Sequence, residues 1–152
     1  MKENDQFLKF ALCALVQDLK DNNEDIENEM KKIGHIFCRS ALEILDFNRE
    51  TDLQSLLYNI TYTLLEKIHS SPRKLEISST NNKEYFIFEY EPFFTKHVPL
   101  TETWKDFCPE SVMTGVIEYA IAASGFKCEV SGYVRPIEKY PDTVVYFIKV
   151  HE

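Results

Sequence analysis

Residues 109–134, PESVMTGVIEYAIAASGFKCEVSGYV, change their hydrophobic period once, and that change decides the fold. Over the first part, Val112, Met113, Val116, Ile117, Tyr119 and Ile121 fall on nearly every side of a helix. Pro109 suits its first position and Gly125 closes it after Ser124. Gly115, Ala120, Ala122 and Ala123 leave room for neighbours to come close, and the interior polar residues are chiefly Thr114 and Glu118. A helix apolar all round belongs at the centre of a core, and one of about 15 residues is too short to span a bilayer. Past Gly125 the period becomes two. Phe126, Cys128, Val130 and Val134 alternate with Lys127, Glu129, Ser131, Tyr133 and Arg135, as in a half-buried strand.

A second strand runs from Thr143 to Val150, and residues 136–142 join the two as a hairpin. Upstream lies another hairpin. Lys74 to Ser78 alternates, Ser79 to Lys83 is turn chemistry, and Glu84 to Tyr90 is rich in Tyr, Phe and Ile before Pro92 stops it. Residues 92–107 have no clean period and are long for a connection, which predicts a short strand near 96–98 or a packed loop.

Three helices precede the hairpins. The first spans 5–20, with Leu8, Leu12, Leu15 and Leu19 at helical spacing and Phe7, Phe10, Ala11 and Ala14 widening the stripe. The second runs from about 25 to 46 on Ile26, Met30, Ile33, Phe37, Ala41 and Ile44, with acids crowding its first turns where the helix dipole favours them. The third opens at Thr51, because Thr51-Asp52-Leu53-Gln54 reads as a capping box, and ends at Ser70-Ser71-Pro72. Three helices, a hairpin, a helix and a hairpin make an α+β domain over residues 1–152. Its sheet is antiparallel because the hairpin links are too short for parallel crossovers.

Composition narrows the function. The net charge is -8, which disfavours nucleic acid and gives anionic membranes no overall attraction. Four glycines are too few for a phosphate-cradling loop, and neither dinucleotide nor P-loop spacing occurs. The N-terminal apolar stretch is interrupted by Lys9, Gln17 and Asp18, so it does not read as a signal peptide, and no stretch reaches the roughly 18 apolar residues of a membrane span. The expected compartment is the cytosol. There Cys13, Cys38, Cys108 and Cys128, spaced 25, 70 and 20 residues apart, read as buried free thiols, and the Asn59-Ile60-Thr61 sequon is void.

No catalytic, cofactor or metal set emerges. His35 and Cys38 share a helix face, but two ligands do not make a zinc site. Cys108 precedes a helix start, where a dipole lowers a thiol pKa, so a thiol enzyme is one reading. Glu118, alone in an apolar helix, reads as paired or lying at the helix edge. Arg49-Glu50-Thr51 reads as a helix cap and its approach. The first two helices carry more apolar surface than one sheet needs. They are either buried between layers or turned toward a partner.

Three motifs in order carry a family resemblance. Ser111 to Glu118 leading into Ala123-Ser124-Gly125-Phe126 resembles the C-terminal signature of the small subunits of TRAPP, the transport protein particle. Arg49-Glu50-Thr51 resembles a second motif of that family, and Glu89 to Pro92 with Val98-Pro99 a third. The chain is most similar to the subunit-five branch of these Bet-three-like proteins. The resemblance implies helices packed on one side of a twisted, about four-stranded antiparallel sheet. It implies pairing between related subunits through the first two helices, with Phe7, Phe10, Leu15, Leu19, Ile26 and Met30 as interface candidates, and structural roles for Arg49, Glu50, Thr51, Gly115 and Gly125. It implies no catalysis and no cofactor. The implied partners are other TRAPP subunits, above all the acylated member, with a Rab GTPase reached through the complex and indirect membrane association at the ER and Golgi; for the isolated chain, monomer and homodimer both stay open. One branch carries an acylated cysteine four residues before the Arg of the second motif. Here that position is Leu45, which excludes the thioester. The alternative is a sensor domain of the four-vinyl-reductase type, with the small-residue helix around Gly115 lining an apolar ligand cavity.

Overall fold

The computed structural model describes residues 10, 11, 13–15, 17, 18, 21, 22, 25–48, 50–95 and 108–151. Residues 10, 11, 13–15, 17, 18 and 21 are helical and are called α1. Helix α2 spans Ile26–Ile44. Asp25 caps it by accepting the Asn28 N–H, and Glu27 and Glu29 complement the dipole in its first turn. Its chain leaves through Asp46, at φ 50, a left-handed position that Asp tolerates better than most residues.

The third expected helix is three pieces: α3 Leu53–Asn59, a π-helical turn Ile60–Leu64, and α4 Leu65–Ile68. The cap lies one residue later than the capping box predicts. Asp52 accepts from Ser55 N at 3.0 Å and Ser55 Oγ at 2.9 Å, while Thr51 is exposed. A carboxylate caps as well as a hydroxyl and adds charge against the dipole. In a regular helix Leu65 would lie about 180° around from Leu56. The extra residue of the π turn rotates it back, and Leu56, Leu57, Ile60, Leu64 and Leu65 are all fully buried. Thr61 is buried within the turn, its hydroxyl donating to Leu57 O at 2.7 Å.

Strands β1 Arg73–Ile77, β2 Glu84–Glu89, β3 Lys127–Val134 and β4 Val144–His151 form one antiparallel sheet in the order β1-β2-β4-β3. Both predicted hairpins are present. The predicted strand near 96–98 lies outside the described residues. Helix α5 spans Ser111–Ala123 and starts two residues after Pro109. Ser111 N–H and Oγ–H both donate to Cys108 O, at 3.2 and 2.7 Å, so residues 108–111 form a turn that delays the helix. Gly125, at φ +95, closes it in the left-handed conformation a C-terminal glycine supplies.

Burial along β2 alternates strictly, with Tyr85, Ile87 and Glu89 buried and Phe86 and Phe88 half-buried. Register places Ile87 beside Tyr146 and Leu75, and Tyr85 beside Ile148. This face meets the helical layer and holds the core with Val116, Ile117, Ala120 and Ile121 of α5. Each such large side chain contributes about 1.5–3 kcal/mol on leaving water. The opposite face carries the Phe86–Phe147 pair, centroids 5.3 Å apart. The fold is α+β with its helices on one side of a four-stranded antiparallel sheet.

Candidate functional site

Helix α2 shows two faces, and the division differs from the single stripe read in the sequence. Met30, Gly34, Cys38 and Ala41 are buried, on the side that packs against α5. Met30 is fully buried, so it is a core residue and not an interface candidate. Ile33, Phe37 and Ile44, expected in the same stripe, are 36%, 47% and 81% exposed. With Ile36 at 71% they cover an arc of about 100° around α2. Small residues at Gly34 and Cys38, one turn apart, mark the inward face and were the available signal. Among the other candidates, Phe10 on α1 is 73% exposed and Leu15 and Ile26 are half-buried. Phe7 and Leu19 lie outside the described residues.

The inward face of α2 crosses α5 at two glycines. A Cβ on Gly34 would sit 2.0 Å from Val112 O, and one on Gly115 would sit 2.0 Å from Lys31 O. The small-residue face expected to line an apolar cavity is therefore closed by another helix. The crossing brings three elements onto Glu118. Its Oε2 accepts from Lys31 Nζ at 3.0 Å and from Val130 N–H at 3.1 Å, and its Oε1 lies 3.1 Å from His35 Nε2. Lys31 Nζ also donates to Val130 O at 2.6 Å. Glu118 is paired, and it ties α2, α5 and β3 together. His35 turns to Glu118 while Cys38 is buried in the core, so the two do not converge. No group of three metal-ligating side chains occurs among the described residues.

Around the second motif, Glu50 Oε1 accepts from Asn59 Nδ2 at 2.9 Å and so holds the approach to α3, while Arg49 lies outside the described residues. Leu45 forms the C-cap of α2, its N–H donating to Ala41 O, and packs half-buried against the core. A cleft of ≈ 220 Å³ beside it is lined by Leu45, Phe47, Glu50, Asn59 and Lys67.

The cysteines do not behave uniformly. Cys38 and Cys108 are buried as expected, Cys128 is half-buried, and Cys13 is exposed on α1. Burial pushes the Cys108 thiol up to about 12, with the Glu110, Glu27 and Glu89 charges adding to it. The dipole reading fails for this thiol, because desolvation in a carboxylate-rich interior outweighs it.

Sequence reasoning missed a buried polar cluster. Arg73 Nε meets Glu89 Oε2 at 2.5 Å with both side chains about 1% exposed, and Glu89 Oε1 accepts from Tyr146 OH at 2.9 Å. Arg73 also donates to Glu66 Oε2 and to His69 O, at 3.0 and 2.6 Å. Beside them Glu110, fully buried, accepts through Oε1 from the N–H groups of Phe94 and Thr95, and its Oε2 has no partner among the described residues. Burial first, then the Glu89 charge, pushes its carboxyl up to about 8. Within the cluster, burial therefore favours the neutral form of Glu110. The only available sequence signal was acidic residues in apolar surroundings.

The profile of the family described as transport protein particle (TRAPP) component matches residues 6–151. A trafficking protein particle complex subunit TRS31 of Encephalitozoon cuniculi (strain GB-M1) is 27% identical over 143 residues, 94% of this chain and 98% of that protein. Among solved structures, a trafficking protein particle complex subunit 3 from Naegleria fowleri, covalently bound to palmitic acid, superposes with a TM-score of 0.81. The identity is 17%, over 100% of this chain and 98% of that one. An H-NOX protein from S. oneidensis superposes with a TM-score of 0.55 at 14% identity, over 90% of this chain and 70% of that one. Both likenesses are of fold.

Proposed function

Because this chain belongs to the TRAPP component family, we propose that it is a non-catalytic subunit pairing with related subunits through the outward faces of α1 and α2. The observation that carries the reading is the apolar arc of Ile33, Ile36, Phe37 and Ile44, with Phe10 exposed on α1. Large apolar side chains left in water on a helix are disfavoured unless a partner covers them. Central apolar anchors of this kind dominate the energetics of standard interfaces, which bury roughly 800 Å² per partner.

Leu45 supports the subunit-five branch. A thioester needs a thiol, and leucine has none, so the acyl chain sits on a partner: the acylated family member is the proposed neighbour. The assembly acts in ER-to-Golgi vesicle tethering and as exchange factor for a Rab GTPase, with this chain as scaffold. No described helix is long and apolar enough to cross a membrane. With a net charge of -8, attraction to anionic ER and Golgi membranes falls to basic patches on neighbouring subunits.

Co-expression with the acylated member, followed by size-exclusion chromatography with light scattering, tests this. A stable heterodimer is expected, and Ile36→Asp with Ile44→Asp abolishes it without changing the far-ultraviolet circular dichroism of the isolated chain. A strict monomer that forms no complex with any family member overturns the reading.

A further inference from the structure

Strand β3 is an edge of the sheet, because the order β1-β2-β4-β3 leaves no strand beyond it among the described residues. In its antiparallel pairing with β4, alternate residues face the partner strand and the open side. Arg135 N–H donates to Thr143 O at 2.7 Å, which fixes the odd-numbered residues as those turned to β4. Val130 is turned outward. There Glu118 accepts its N–H and Lys31 donates to its carbonyl, so two side chains imitate a neighbouring strand for one residue. Gly132 and Val134 share the outward phase, and no described residue bonds their N–H or C=O. Both are half-buried and next to Tyr133, which is 56% exposed.

A cleft of ≈ 250 Å³ runs beside this stretch, between the first turn of α2 and β3. Asp25, Glu27, Lys31 and Thr114 line it. Glu27 accepts the Cys108 N–H at 2.8 Å and the Lys31 charge is offset by Glu118, so the exposed Asp25 gives the cleft its acidic side. Gly132 keeps the wall low, since a Cβ there would already touch Cys108 Sγ and Thr114 Cγ2 at 3.0 Å.

We propose that the Gly132–Val134 edge of β3 accepts an extended segment of a partner protein as an added strand, with a Lys or Arg of that segment seated in the cleft beside Asp25. The backbone supplies the binding groups and the acidic cleft selects the side chain, which is how strand addition divides affinity from specificity. The Glu118–Lys31 cap at Val130 ends the added strand on one side and Pro136, which has no N–H, ends it on the other, so the segment pairs with Gly132 and Val134 and not along the whole edge. Unpaired edges are normally blunted. At the other side of the sheet, Tyr62 OH accepts the N–H of Leu75 at 3.0 Å. This surface rests on β3 and the first turn of α2, apart from the Ile33, Ile36, Phe37 and Ile44 arc, and exchange at Gly132 and Val134 in the isolated chain is read independently of the subunit pairing proposed above.

The test is amide hydrogen exchange on the full chain, read residue by residue by NMR. The probe is a capped octapeptide of alternating Thr and Val with one central Lys. At ten times its dissociation constant, exchange at Gly132 and Val134 slows about elevenfold, while Val130 is unchanged. The same peptide with central Glu, or N-methylated on its pairing edge, gives no slowing. Asp25→Asn, which keeps the cap acceptor, removes the preference for Lys over Glu. The proposal is overturned by unchanged exchange at both amides with the Lys peptide, by slowing at Leu75 and Ile77 in their place, or by equal binding of the Lys and Glu peptides. Slowing at Gly132 and Val134 that rises with protein concentration and no peptide also overturns it, since the occupant is then a second copy of this chain.

Discussion

Replacing Gly115 with alanine sets two well-known effects against each other. Alanine in a helix interior is favoured over glycine by about 1 kcal/mol, so helix propensity alone predicts a more stable protein. The added Cβ, however, would stand 2.0 Å from Lys31 O, 2.8 Å from Lys31 C and 3.0 Å from Gly34 Cα. A carbon–oxygen contact is comfortable at about 3.3–3.6 Å, so α2 and α5 must separate locally by more than about 1 Å. The obstacle is backbone, which no rotamer change relieves. Separation also pulls Lys31 away from Glu118 and Val130, and loosens Cys38 against the α5 face. Overpacking of this kind costs about 1–3 kcal/mol, occasionally more, before the lost contacts are added. Net destabilisation of about 2 kcal/mol follows. In a chain of this length that lowers Tm by about 4–8 °C. Urea and thermal unfolding followed by circular dichroism at fixed protein concentration measure it. Gly34→Ala behaves alike, and the double variant costs less than the sum, because one separation relieves both clashes. A Gly115→Ala protein as stable as the parent, or more so, refutes the close crossing.

Other consequences are equally direct. Glu110 ionises near 4.5 when unfolded but is held up to about 8 when folded. Between those values the native state keeps a proton that the unfolded chain has lost, so this group's contribution to stability is full below about pH 4.5 and is lost as pH rises toward 8, by about a kcal/mol per pH unit. Glu110→Gln removes that slope, and denaturant midpoints of variant and parent should converge or cross as pH rises; parallel curves from pH 5 to 8 would contradict it. Glu118→Ala leaves Lys31 and the Val130 N–H without their acceptor and should cost about 1–3 kcal/mol in urea unfolding, against a smaller loss for Glu118→Gln. Alkylation at neutral pH should modify Cys13 rapidly and spare Cys38 and Cys108, whose thiols burial pushes up to about 12. Mass spectrometry of the native protein reads this, and fast labelling of Cys108 would restore the thiol-enzyme reading.

Local pattern was enough for much of the architecture. The hairpins 74–90 and 126–150 are set by alternation and turn residues within a few positions, and the structure pairs them as read. Gly125 could be placed because a left-handed C-terminus is a local demand. Glu118 was legible as an exception in an apolar helix, though not its partners, which lie 83 and 87 residues away. The start of α3 moved by one residue because Thr51 and Asp52 are both good caps and only packing chooses between them.

By itself the sequence determined, among the described residues, which segments are helix and which are strand, that the sheet is antiparallel, and which family the chain resembles. These follow from periodicity and chain reversal, whose range is a single element or two neighbours. Only the tertiary structure decided which side of α2 is inward, because Met30 and Phe37 are equally apolar and the choice falls to Gly34 meeting Gly115. It likewise decided that Arg73, Glu89, Tyr146 and Glu110 share one buried cluster, that Cys108 is buried beside carboxylates, and that Gly132 and Val134 stand on the outward side of an edge strand. Each depends on groups far apart in the chain sharing one low-dielectric or close-packed space, and desolvation and excluded volume act only once the fold has brought them together.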